Sequence, residues 1–214
     1  MPNHEIAVTL ENITHWFKKQ EPVLDHVNLK LRSGDIHGFT GNNGSGKTLL
    51  FKVICGYLHP KEGKVIVHGN EIGRHFDFPP EMGLLLEAPG FLTSLNAYDN
   101  LSLLWSLRGK PDKKRIHEII DFVGLCEHKK KRVGTYSLGM RQRLGIAQAI
   151  MENPKLLILD EPFNGLDKHG VKEIHELILS LKGQGITVLL SSHMPGDMTL
   201  LCDSVHEMEA GKLT

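Results

Sequence analysis

The sequence is poor in the features that would tie it to secretion, to a membrane span or to nucleic acid. Its three cysteines, Cys55, Cys126 and Cys202, are scattered and form no CxxC pair. Such a set gives no disulfide framework and reads as reduced thiols of a cytosolic protein. Lys plus Arg and Asp plus Glu balance at 25 each, so no net basic field speaks for nucleic acid. The longest apolar runs, such as 186–190, fall far below the ~18 residues that cross a bilayer. No charged-then-apolar leader follows Met1. His117-Glu118 starts like a zinc helix, but position 121 is Asp, so H-E-x-x-H fails. Repeats, low-complexity tracts and heptads are missing as well.

What is present divides into three regions. In the first third, 5–10 and 27–31 alternate apolar and polar residues, as half-buried strands do. A short strand is expected over 36–40, a helix over 46–57, and a hairpin around 64–70. The middle third carries apolar residues at helical spacing over 94–108, 112–123 and 138–152, with a basic run at 128–132 that reads as a solvated face. The last third alternates apolar strands at 156–159 and 186–190 with a helix at 168–182. Strands apolar throughout are buried on both faces, which predicts a mostly parallel, helix-covered sheet. The expected fold is α/β: a core over 1–87 and 146–214 that includes an N-terminal antiparallel β subdomain, with a helical lobe inserted at 88–145.

Between the 36–40 strand and the following helix lies GNNGSGKT, 41–48, which fits G-x-x-x-x-G-K-[ST]. Gly41, Gly44 and Gly46 permit backbone conformations closed to other residues. The amides of Gly41, Asn42, Asn43, Gly44, Ser45 and Gly46 can then turn inward as a nest for phosphate oxygens, at the positive end of a helix. Lys47 reaches the β- and γ-phosphates and the Thr48 hydroxyl holds Mg²⁺. A second element, KLLILDEP at 155–162, ends an apolar strand in two acids. Asp160 suits the metal shell, and Glu161 is placed to orient or deprotonate a water.

Further motifs follow in a fixed order: ITHWFKK at 13–19, TYSLGMRQR at 135–143, NGLD at 164–167 and LLSSH at 189–193. With the phosphate loop and its acids, this order resembles the ATP-binding cassette family of transporter ATPases over essentially the whole chain. The resemblance implies an ATPase with ATP and Mg²⁺ as ligands, and Glu161, His193, Lys47 and Glu87 as catalytic residues. Phe17, with Trp16 as its neighbour, would stack on adenine. Ser137 and Gly139 would meet the γ-phosphate held by a second cassette, and Asp167 would touch that partner's phosphate loop. It further implies a separate membrane permease as partner, a second ATPase subunit most simply identical to this one, no nucleic acid, and a cytoplasmic location on the inner face of the cell membrane. A soluble cassette ATPase of ribosomes or DNA is the alternative. Such proteins usually carry two cassettes or a coiled-coil insertion, and a P-loop phosphotransferase would lack the signature and the switch histidine.

Two positions depart from the family pattern. The signature has Leu138 in place of its first glycine and Met140 in place of glutamine. In MGLLLEAPGF, 82–91, Glu87 stands where most cassettes carry a glutamine near Mg²⁺. A carboxylate there is a hard metal ligand. The LLLEAPGF and YSLGMRQR stretches together resemble exporters that confer lantibiotic immunity or resistance to bacitracin-like peptides.

Overall fold

The chain was analysed as a computed structural model that describes residues 5–18, 21–87, 90–193 and 195–214, with backbone alone for 195–197. Lys19 of the ITHWFKK stretch and residues 88 and 89, where the helical lobe is expected to begin, lie outside them.

Alternation starts the fold. β1 (Ile6–Trp16) and β2 (Pro22–Arg32) pair antiparallel, each longer than its alternating segment predicts. The apolar–polar pattern of β1 breaks after Leu10 because the register shifts there, and Asn12 takes a positive φ of 54°. A bulge of this kind interrupts the side-chain period without ending the strand. β3 (Ile36–Thr40) follows, and then α1 (Lys47–Ile54), which closes three residues earlier than expected. β4 (Glu62–Val67) and β5 (Asn70–Glu71) form the hairpin, with positive φ at both turn residues, His68 and Gly69. That is the backbone a two-residue I′ turn requires. The four strands make one antiparallel sheet in the order β2-β1-β4-β5.

β6 (Met82–Leu85) leads to the helical region: α2 (Ala97–Ser106), α3 (Lys113–Phe122) and α4 (Leu138–Ile150). Their starts are written in the sequence. Asn96, Asp112 and Ser137 each accept a hydrogen bond from the amide three residues on, the N-cap interaction. Leu107, on the expected helical stripe, falls beyond α2 and is 79% exposed. α4 runs unbroken across residue 145.

The chain returns through β7 (Leu156–Leu159), α5 (Lys168–Gly183), β8 (Thr187–Ser191), α6 (Pro195–Leu201), β9 (Ser204–Glu209) and β10 (Lys212–Leu213). The second sheet has the order β10-β9-β3-β8-β7-β6, parallel except for β10. In β7, Leu156 and Ile158 join the core shared with α1 and the antiparallel sheet. Leu157 and Leu159 join the core shared with α4, α5 and the helical region. All four are fully buried. Burying a leucine contributes about 1.5–3 kcal/mol, so this uniformly apolar strand binds two cores into one body. The parallel strands also end together: Thr40, Leu85, Leu159 and Ser191 bring their following loops to a single edge of the sheet. Open α/β sheets bind ligands at that edge.

Candidate active site

The phosphate loop leaves β3 and enters α1 at this edge. Gly41, Gly44 and Gly46 have φ of 139°, 82° and 112°. At Gly41 the reason is also steric, since a Cβ would stand 2.2 Å from the Met208 carbonyl oxygen. Lys47 is only 6% exposed. Its ammonium curls back over the loop and donates to the carbonyls of Gly41 (2.7 Å) and Asn42 (3.2 Å). The Ser45 hydroxyl is buried without a hydrogen-bond partner. A buried donor of this kind is costly unless a ligand engages it, which fits a loop built to receive phosphate oxygens.

Asp160 and Glu161 lie just beyond β7 and are joined to both neighbouring strands. The Thr48 hydroxyl donates to Asp160 Oδ2 at 2.6 Å, and the Ser191 hydroxyl donates to Asp160 Oδ1 at 2.5 Å. The same Ser191 oxygen accepts the Glu161 amide at 2.9 Å. His193 Nδ1–H donates to the Glu161 carboxylate at 3.0 Å. Thus Thr48, Asp160, Ser191, Glu161 and His193 form one bonded chain. Thr48 and Asp160 offer adjacent hard oxygens, the donor type Mg²⁺ takes together with waters and phosphates. Glu161 sits at φ 49°. A residue held in the left-handed region by its surroundings often marks a functional site.

A cleft of about 660 Å³ adjoins this network, lined by Phe17, Val23, Gly44, Lys47, Glu161 and Gly211 among others. Leu49 also lines it. Phe17 is 70% exposed at its mouth, whereas Trp16 lies in β1 opposite Pro22. Of the two neighbouring aromatics, Phe17 is the one that lines this cleft. Sequence reasoning missed three contributors. Ser191 is one, although SSH was visible. The others are Met208 and Gly211 in the β9–β10 hairpin, whose Gly211 amide donates to the Ser45 carbonyl at 2.9 Å. No local motif announces them.

Glu87 is not drawn into this network. Its carboxylate bonds Lys52 of α1 at 2.7 Å, and its side chain is 64% exposed. The Lys52 ammonium holds the Glu87 carboxyl below its usual pKa. Ser137, Gly139 and Asp167 stand apart as well, around a separate cleft of about 480 Å³. Among the described residues, no group of three or more His, Cys, Asp or Glu could hold a metal, and no helix is long and apolar enough to cross a membrane.

Known proteins agree with this geometry. Residues 24–164 match the family described as ABC transporter. The chain is 41% identical to a bacitracin transport ATP-binding protein of Bacillus licheniformis, over 94% of this chain and 66% of that protein. It is 35% identical to a lantibiotic transport ATP-binding protein of Streptococcus pyogenes, over 95% of this chain and 87% of that protein. Among solved structures, cbiO1 of Clostridium perfringens, part of an ABC transporter complex, superposes with a TM-score of 0.87 at 27% identity, covering 98% of this chain and 87% of that one. A dimeric cassette bound to ADP and phosphate shares the fold, with a TM-score of 0.84 at 24% identity over 96% of each chain. The chain belongs to the ABC transporter family, as one of its ATP-hydrolysing subunits.

Proposed function

We propose that this ATPase works in pairs on the cytoplasmic face of the cell membrane and drives a separate permease that exports a peptide antibiotic of the bacitracin or lantibiotic type. The observation that carries the hydrolytic part is the bonded chain from Thr48 through Asp160 and Ser191 to Glu161 and His193. In this reading Lys47 releases its two loop carbonyls to bind the β- and γ-phosphates. Thr48 and Asp160 hold Mg²⁺, which supplies charge neutralisation on the phosphates. Glu161 accepts the proton of the attacking water. His193 fixes the Glu161 carboxylate and would also bond the γ-phosphate when nucleotide is held. Phe17 stacks on the base, an interaction of roughly 1–3 kcal/mol. Glu87 stays beside the site, free to exchange Lys52 for the metal shell.

Pairing is supported by the separation of the two clefts. The residues around Ser137 do not line the cleft that contains Lys47, so a second copy would have to bring its Ser137 to this chain's nucleotide. The permease is supported by an exposed aromatic group next to α1. Tyr57 and Phe78, 62% and 55% exposed, meet edge to face at 5.5 Å, and Phe76 is 43% exposed. Exposed aromatics of this kind favour protein contact. The antibiotic class rests on the two transport relatives. Reconstitution with the permease in proteoliposomes tests the whole reading. ATP should drive movement of a labelled bacitracin-type peptide, and Glu161→Gln should stop it. Co-purification with ribosomes and with no membrane protein would favour the soluble alternative.

A further inference from the structure

The leucine that replaces the first glycine of the signature has a specific place in the fold. Leu138 opens α4 directly after its cap, Ser137, whose hydroxyl accepts the Met140 amide at 3.2 Å. It is 56% exposed. Its side chain lies over Gly165 in the NGLD loop. A Cβ at Gly165 would stand 2.1 Å from Leu138 Cδ2 and 3.2 Å from Cγ, and Gly165 has φ 71°. The neighbouring pair mirrors this contact, since a Cβ at Gly139 would stand 3.0 Å from Leu166 Cδ2. Two leucines therefore fill the spaces left by two glycines, one pair in each direction.

The loop that receives them is short and bonded at both ends. The Asn164 amide donates to the Glu161 carbonyl at 3.2 Å, and the Leu166 amide to the Phe163 carbonyl at 3.2 Å. At the far end Asp167 caps α5 by accepting the Gly170 amide at 2.8 Å. The loop thus connects Gly165 to Glu161 on one side and to Asp167 on the other. A signature with glycine at position 138 has no side chain to make the first contact.

We infer that Leu138 is a positioning residue: interlocked with Gly165, it makes the phosphate-recognising turn at Ser137 and the loop from Glu161 to Asp167 move as one body. The inference rests on the paired-ATPase reading, in which Ser137 meets the partner's nucleotide. Leu138 then adds a mechanical link between engagement of that nucleotide and placement of the chain's own hydrolytic glutamate.

The test compares Leu138→Ala, Leu138→Met, Gly165→Asn and the Leu138→Ala/Gly165→Asn double variant with wild type, and uses Ser137→Ala as a control. Leu138→Ala should lower ATP turnover about tenfold, the scale of a pairwise coupling between touching residues. Leu138→Met, similar in volume, should keep it. Binding of a fluorescent ATP analogue to the separate subunit should not change, because Leu138 is outside the cleft lined by Lys47. Asparagine tolerates positive φ, so Gly165→Asn should lower turnover by pushing the Leu138 side chain, whose Cδ2 a Cβ there would meet at 2.1 Å, off the loop. The double variant should be no slower than Leu138→Ala alone. Wild-type turnover in Leu138→Ala, or losses that multiply in the double variant, would overturn the interlock while Ser137→Ala is inactive. Full turnover in Ser137→Ala would instead overturn the paired reading beneath it.

Discussion

Two glutamates leave adjacent strands at matching positions. Leu85 of β6 pairs with Leu159 of β7, and Glu87 and Glu161 stand two residues beyond each. Both have positive φ, 60° and 49°. Their surroundings divide them. β7 lies inside the sheet, so Glu161 has β8 on its other flank, with Ser191 holding its amide and His193 its carboxylate. β6 is the edge strand, so Glu87 has no such flank and turns to Lys52 on α1. The side chains are 21% and 64% exposed. A carboxylate at the end of a parallel strand is thus drawn into the bonded cluster through the strand beside it.

The comparison can be broken most directly at Glu161. Glu161→Gln should cut ATP turnover by about 10²–10⁴-fold, the usual contribution of a general base, and keep ATP binding. Gel filtration with ATP should then show a lasting dimer, and unchanged hydrolysis would end the assignment. Ser191→Ala probes the flank that Glu87 lacks. It removes the hydroxyl shared by Asp160 and the Glu161 amide, and hydrogen bonds to charged groups are worth about 1.5–3 kcal/mol. Turnover should fall about tenfold, and a normal rate would show that the flank is dispensable. Glu87→Gln should act more gently, changing turnover only about two- to fivefold, with a shift in the Mg²⁺ concentration needed. Thermal melting should hardly move, since an exposed ion pair contributes little. Unchanged rate and unchanged Mg²⁺ dependence would leave Glu87 as surface.

The smallest expected effect concerns acid stability. His37 Nε2–H donates to the Arg32 carbonyl (2.9 Å), its Nδ1 pairs with the Ser204 hydroxyl (2.7 Å), and His206 Nε2 meets the same hydroxyl at 2.9 Å. Burial pushes the pKa of both imidazoles down from 6.5. Groups with a lowered histidine pKa stabilise the fold fully above the unfolded value and lose that contribution as pH falls through the folded value. The denaturant midpoint should therefore decline as pH drops below about 6.5. His206→Gln should make that decline shallower. Glu87 is also held below its usual pKa, by Lys52, so its contribution is present above about 4.5 and disappears only at lower pH. Glu87→Gln should leave the slope between pH 6.5 and 5 as it was.

The phosphate loop and the acids at 160 and 161 were legible because each is a local pattern with one backbone solution. The parallel core was legible from strands that are apolar throughout. The ends of β1 and β2 were not, since a bulge at Asn12 changes the period without stopping the pairing. The Lys52–Glu87 pair joins residues 35 apart, and the fit of Leu138 over Gly165 joins a helix start to a distant loop. Neither leaves a periodic trace, because the partner is chosen by packing.

The β9–β10 hairpin has a consequence for synthesis. Met208 and Gly211 brace the backbone of the phosphate loop at Gly41 and Ser45. The ribosome delivers the loop early and its brace late. At about 5–20 residues per second, the nascent loop waits on the order of ten seconds for the residues that fix its shape. During that interval the glycine-rich stretch lacks the two contacts that the hairpin makes with its backbone.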